Sequence, residues 1–142
     1  MKEKKASADW YIAATHWLTA TVAMVIFGII MGFIIGIISG LVSNNESVIL
    51  VATIISYPIA MLVAVKYSAQ YLDKTYVISN ANQIVILSTV YLVIVGGGFR
   101  VMGILSGGSI TADHIGFAIA IVVFYFASKK YIKENSVQTS QM

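Results

Sequence analysis

Four long apolar runs separated by short polar clusters set the pattern of this chain. The first extends from about Trp10 to Val42 without a charged residue, follows Ser7 and Asp9, either of which can cap a helix, and closes on the turn formers Ser43, Asn44, Asn45, Glu46 and Ser47. The second covers about Val48 to Gln70, with Pro58 near its middle, where the missing backbone donor predicts a kink. A polar linker from Tyr71 to Tyr76, then Ser79, Asn80, Asn82 and Gln83, leads to a third run from about Ile84 to Leu105. Ser106-Gly107-Gly108-Ser109 reads as a turn, and the fourth run covers about Ile110 to Phe126. A crossing of a hydrocarbon core of about 30 Å takes about 20 apolar residues. The pattern therefore predicts an all-α integral membrane protein, a four-transmembrane-helix bundle with short connections.

The expected layout is an N-terminal segment at 1–9, a membrane domain at 10–132 and a disordered polar tail at 133–142. The first run is too long for a signal peptide. As one helix it would measure about 50 Å, so its first turns, with Trp10, Tyr11, His16 and Trp17, are expected at or outside the membrane surface.

Composition strengthens this picture. Of 142 residues, 58% are hydrophobic and 11% charged, against roughly 25% charged in an ordinary soluble domain, which excludes a soluble globular fold. The absence of cysteine removes disulfides, thiolate metal sites and thiol nucleophiles. Lys and Arg in short loops stay cytoplasmic, and placing both termini and the middle linker inside puts eight of the nine basic residues there, leaving only Arg100 outside. Four acidic residues fall inside and two outside, which reproduces the overall +3. This is the orientation of a multi-pass cell-membrane protein with cytoplasmic N- and C-termini, and its basic excess needs no nucleic-acid partner. Trp10, Tyr11, Trp17, Tyr67, Tyr71, Tyr76, Tyr125 and Tyr131 gather near the inner boundary as an interfacial belt.

Shifting the sequence by 67 positions lays Gly36-Ile37-Ile38-Ser39-Gly40 over Gly103-Ile104-Leu105-Ser106-Gly107 and pairs Glu46 with Asp113 and Lys66 with Lys133. Two readings stand: a tandem αα-hairpin repeat related by an axis along the membrane normal, or chance similarity in a chain rich in Ile, Gly and Ala.

Gly28, Gly32, Gly36 and Gly40 are spaced by four along one stripe of the first run. Small residues at this spacing let helix backbones approach closely, against a helix of the same chain or of another subunit, and a glycine-lined path is a third reading. Thr89, Gly96, Arg100, Gly103 and Gly107 recur at helical spacing on the third run, so this face, with Gly96 and Gly103 as packing positions, is expected to look inward. Arg100 lies inside the outer boundary, where an unpaired charge is costly. Asp113 is nearly equidistant from the turn at Gly107 and is its natural partner, and with His114 and Glu46 the pair forms a structural tie or an outer gate for an anion. His16 and His114 fall at opposite ends of the bundle, so they cannot share a metal or haem, and each is read as interfacial; no cofactor or metal site is expected. Thr53, Ser56, Tyr57, Ser88, Thr89 and Tyr91 supply hydroxyls that can bond back to their own backbone or bridge helices.

No catalytic constellation and no core carboxylate emerge, so an enzyme is not expected. The leading expectation is a non-catalytic membrane subunit, either an accessory component of a larger membrane complex or a homo-oligomer, with lipid and other integral membrane subunits or copies of itself as partners. The alternative is a small oligomeric transporter or channel for an ion or small solute.

Overall fold

A computed structural model of the chain describes residues 4–42 and 46–135. Helix α1 spans Asp9–Val42, α2 Glu46–Thr75, α3 Ala81–Tyr91, α4 Gly98–Leu105 and α5 Ala112–Tyr131. A π-helical turn, Leu92–Gly97, joins α3 to α4, so residues 81–105 form one continuous helical rod. No strand occurs among the described residues. By length and composition, α1, α2 and the α3–α4 rod can each cross a membrane. The 20-residue α5 is apolar through its middle but carries Asp113 in its first turn and Lys129 and Lys130 in its last.

Local hydrogen bonding explains where the helices depart from the sequence boundaries. The Ala8 carbonyl accepts from the amides of Tyr11 and Ile12 at 3.0 and 3.1 Å, so α1 starts without Ser7 or Asp9 as cap, and Asp9 lies in its first turn, where the helix dipole favours an anion. Helix α2 continues through the expected linker to Thr75 because Leu72 is fully buried beside Ile12, Ile84 and Ile132; one buried leucine outweighs the polarity of its neighbours. Asn80 starts α3 at Ala81: its Oδ1 accepts from the Gln83 amide at 3.1 Å, and its Nδ2 donates to Gln83 Oε1 at 3.0 Å. At the end of α4, Gly107 adopts a φ of 96° and the Gly108 amide donates to the Gly103 carbonyl at 3.0 Å, a closure that glycine enters without strain. Thr111 caps α5.

The four rods form a ring. Helix α1 packs against α2 and α3, and α5 packs against the same two, which places α1 and α5 on one diagonal. A twofold axis along the helices would set α1 opposite α3. The ring order therefore lacks the symmetry that a parallel hairpin repeat requires.

Two apolar clusters fill the ring. One, with Ile12, Leu72, Ile78, Ile84 and Ile132, sits at the end where α1 begins and α5 ends. The other, with Met61, Val65, Leu92, Phe117 and Phe124, lies further along the helices. At the first end the backbone knits three segments together: the Lys5 amide donates to the Thr75 carbonyl at 2.8 Å, the Val77 amide to the Lys5 carbonyl at 3.0 Å, and the Asn135 amide to the Ile78 carbonyl at 3.0 Å. Asn135 Oδ1 also accepts from the Ile78 amide and its Nδ2 donates to Asp73 Oδ1, both at 2.7 Å, while Lys4 meets Asp73 at 3.4 Å. Asn135, expected in the disordered tail, is thus held against the α2–α3 link; residues 136–142 lie outside the described residues. Tyr76, expected in the interfacial belt, is buried in the first cluster, whereas Trp10, Tyr11, Tyr67 and Tyr71 are exposed.

Candidate functional site

Four polar residues are buried among the described ones: His16, Ser68, Ser88 and Ser128, all with no accessible surface. Each rod contributes one. His16 falls between Ala13 of the first cluster and Ala20 of the second, Ser68 between Ala69 and Val65, Ser88 between Val85 and Leu92, and Ser128 between Ile132 and Ala127. They form a polar layer sandwiched between two apolar cores. The His16 ring takes Ser68 Oγ on Nδ1 at 2.8 Å and Ser128 Oγ on Nε2 at 2.9 Å, and it lies 5.2 Å from the Phe124 ring.

The proton positions follow from counting donors. Ser68 Oγ donates its one proton to the His16 carbonyl at 3.0 Å, so it must accept from His16 Nδ1–H. His16 Nε2 is then the acceptor for the Ser128 hydroxyl. This neutral tautomer leaves neither ring nitrogen unsatisfied and ties α1 to α2 and α5. Ser88 bonds only within its own helix, donating to the Val85 carbonyl at 3.0 Å.

His16 was expected at the interface and is instead the centre of this layer. The signal available in sequence was depth: His16 lies seven residues after the start of α1, Ser68 seven before the end of α2 and Ser128 three before the end of α5. Matching these depths required helix ends that polarity alone misplaced, α2 by five residues.

A second cluster sits toward the other end. Arg100 Nη2 lies 3.2 Å from Asp113 Oδ2, Arg100 Nη1 donates to the Gly96 carbonyl at 3.3 Å, and the guanidinium stacks over the Phe117 ring at 3.9 Å from its centroid. The Tyr57 hydroxyl donates to Asp113 Oδ1. Two glycines make room. A Cβ on Gly96 would stand 2.7 Å from Phe117 Cζ, and one on Gly116 would stand 3.0 Å from Tyr57 Cδ2. Gly96 and Arg100, four residues apart, lie one above the other on the rod and both face α5, where they meet Phe117 and Asp113. The cluster joins α2, the α3–α4 rod and α5, with the Arg100 side chain 26% exposed and Asp113 42%.

The other candidates do not converge on it. His114 is spent on the α5 cap, where its Nδ1 accepts from the Thr111 amide at 3.1 Å. Glu46 begins α2, but its side chain, like that of Thr53 and the surroundings of Gly40, lies outside the described residues. Gly28, Gly32, Gly36 and Gly103 are exposed, and a Cβ on any of them would meet nothing within 4 Å. The expectation that they pack against a helix of the same chain is therefore corrected: the ring closes through Ala13, Ala20 and Ala23 on α1, which leaves the glycine stripe on its outer side. Among the expected packing glycines whose surroundings are described, only Gly96 makes a close approach. Thr89 Oγ1 returns to the Val85 carbonyl at 2.8 Å, and Tyr91 lies 6.1 Å from the Trp17 ring.

No protein-family model matches the chain, and no curated protein or solved structure is significantly similar to it.

Proposed function

We propose that the chain is a non-catalytic, multi-pass protein of the cell membrane. In this reading four helices cross the bilayer with both termini cytoplasmic, and the bundle serves as a structural or accessory subunit of a larger membrane complex or as a homo-oligomer. The observation that carries the subunit role is the open side of α1. Val25, Ile29 and Phe33 are 56%, 69% and 71% exposed there, beside Gly28, Gly32 and Gly36 with open space above each. Glycine costs a helix about 1 kcal/mol relative to alanine in water, and a stripe of them is recovered when a second backbone packs closely on it. The polar layer around His16 supports the structural role, because both ring nitrogens are spent on Ser68 and Ser128.

The test is the mass of the purified protein in mild detergent. A mass above that of one chain, lowered by Gly32→Leu, is the expected result. A lone monomer that Gly32→Leu leaves unchanged in mass and stability overturns the subunit role.

One observation favours the alternative of a small oligomeric transporter or channel. Arg100 lies three residues after a π turn, a geometry frequent at functional sites, and its Nε is buried without a protein partner. Ion flux into vesicles that Arg100→Met abolishes would establish that reading in place of the first.

A further inference from the structure

At the end where the termini gather, a cavity of about 310 Å³ opens between the start of α3 and the end of α5, lined by Ala81, Asn82, Val85, Lys129, Ile132, Lys133 and Glu134. We infer that this groove binds the phosphodiester headgroup of an anionic phospholipid, a reading that rests on the membrane placement proposed above.

Three features specify that ligand. First, neither Lys129 nor Lys133 enters a salt bridge with any described residue, whereas Lys4 and Arg100 each have a carboxylate partner. Lys129, Lys130 and Lys133 crowd three like charges into five residues of sequence, an arrangement that an anion relieves. Second, Asn82 lines the groove together with Lys129 and Lys133 and is exposed, so a phosphate there would have a neutral donor available beside two charged ones. Third, the remaining wall is Ala81, Val85 and Ile132, an apolar surface suited to the glycerol and the first methylenes of a lipid rather than to a free ion. With Glu134 counted, the lining carries a net +1, which fits a singly charged diester better than a dianionic monoester. A zwitterionic lipid would bring its own ammonium against the lysines. The volume lies near the lower edge of the range for small-ligand sites, adequate for a headgroup and too small for a whole lipid, whose chains would run along the apolar exterior of the helices. Lys133 also lines a neighbouring groove of about 220 Å³ with Lys66 and Asp73, whose lining likewise carries a net +1.

The experiment titrates the full chain in neutral detergent with phosphatidylglycerol, phosphatidylcholine or sodium phosphate at matched ionic strength, counting bound lipid by native mass spectrometry and following thermal stability. Each lysine at an anionic headgroup surface contributes about fivefold in binding. The expected result is saturable phosphatidylglycerol binding that falls roughly 25-fold in Lys129→Gln/Lys133→Gln and is retained in Lys129→Arg/Lys133→Arg. Lys5→Gln/Lys74→Gln removes the same charge outside the groove and should leave binding close to that of the unchanged protein. An equal loss in that control overturns the proposal in favour of diffuse attraction, equal binding of phosphatidylcholine removes the charge preference, and an equal response to phosphate points to a free anion. If alkaline carbonate extracts the chain from vesicles, the membrane placement itself fails; a chain that stays in the vesicles without preference for phosphatidylglycerol refutes the headgroup site alone.

Discussion

At the scale of single residues, the glycines of this chain divide into two kinds that identical side chains conceal. Gly96 is a close approach, since an added methyl would meet the Phe117 ring that itself carries Arg100, whereas its neighbour Gly97 faces open space. Gly96→Ala should destabilise the protein by about 1–3 kcal/mol, the usual cost of overpacking, while Gly97→Ala should cost nothing and can gain a few tenths from helix propensity. Thermal unfolding in one detergent reads both, and equal effects would mean that Phe117 moves aside freely. The polar layer gives a second contrast. Ser128→Ala removes the donor to His16 Nε2 and strands a buried acceptor, which should cost about 1–2 kcal/mol. Ser88→Ala removes a hydroxyl that bonds only within its own helix and should cost less than half as much. A smaller loss for Ser128→Ala than for Ser88→Ala would show that the histidine is satisfied in another way.

At the scale of elements, hydrophobic runs made the helices legible and left their relations obscure. The apolar stretches located α1, α2 and the α3–α4 rod within a few residues, because length and hydropathy are local properties. Three things were not local. The extension of α2 to Thr75 depends on Leu72 meeting Ile12, Ile84 and Ile132 from other parts of the chain. The side of α1 that faces the ring carries Ala13, Ala20 and Ala23, which differ from the glycines on its outer side by one methyl group each, so small-residue spacing alone could not assign the faces. The π turn has no signature beyond Gly96-Gly97-Gly98. A π turn holds one residue more than the α-helix it interrupts, so deleting Gly97 should restore regular α-helical bonding while leaving α4 close to its present orientation relative to α3. In the intact protein a double-mutant cycle of Arg100→Met and Asp113→Asn should give a coupling of about 1 kcal/mol, well below the 3–5 kcal/mol for breaking a buried pair, because both side chains reach solvent or headgroups. In the Gly97 deletion the coupling should be retained, because α4 keeps its facing toward α5. A coupling lost on the deletion would show that the salt bridge needs the wider geometry of the π turn itself.

At the scale of the whole molecule, the segments before α1, between α2 and α3, and after α5 share one end, bound to one another by the bridges of Lys5 to Tyr76 and Ile78 to Asn135. Their grouping requires the polypeptide to traverse the bundle an even number of times. The helical charges agree with a single sense of insertion: Lys66, Lys74, Lys129, Lys130 and Lys133 all lie toward this end, while Arg100 lies toward the other, spent on Asp113. Basic residues near helix ends resist translocation, so the end with the termini should face the cytoplasm. Because the chain has no cysteine, single reporters need no background removed. Ser7, Lys74 and Ser109 are exposed; Gly108 would be a poor choice, since a side chain there would meet the Gly103 carbonyl at 2.7 Å. A membrane-impermeant maleimide applied to intact cells should label Ser109→Cys and leave Ser7→Cys and Lys74→Cys unmodified until the membrane is permeabilised. The inverse pattern would reverse the orientation while keeping the four crossings. Labelling of Lys74→Cys and Ser109→Cys from the same side would be more damaging, because the rod from Ala81 to Leu105 would then fail to span the bilayer, and both the four-crossing arrangement and a headgroup site on the cytoplasmic leaflet would fall with it.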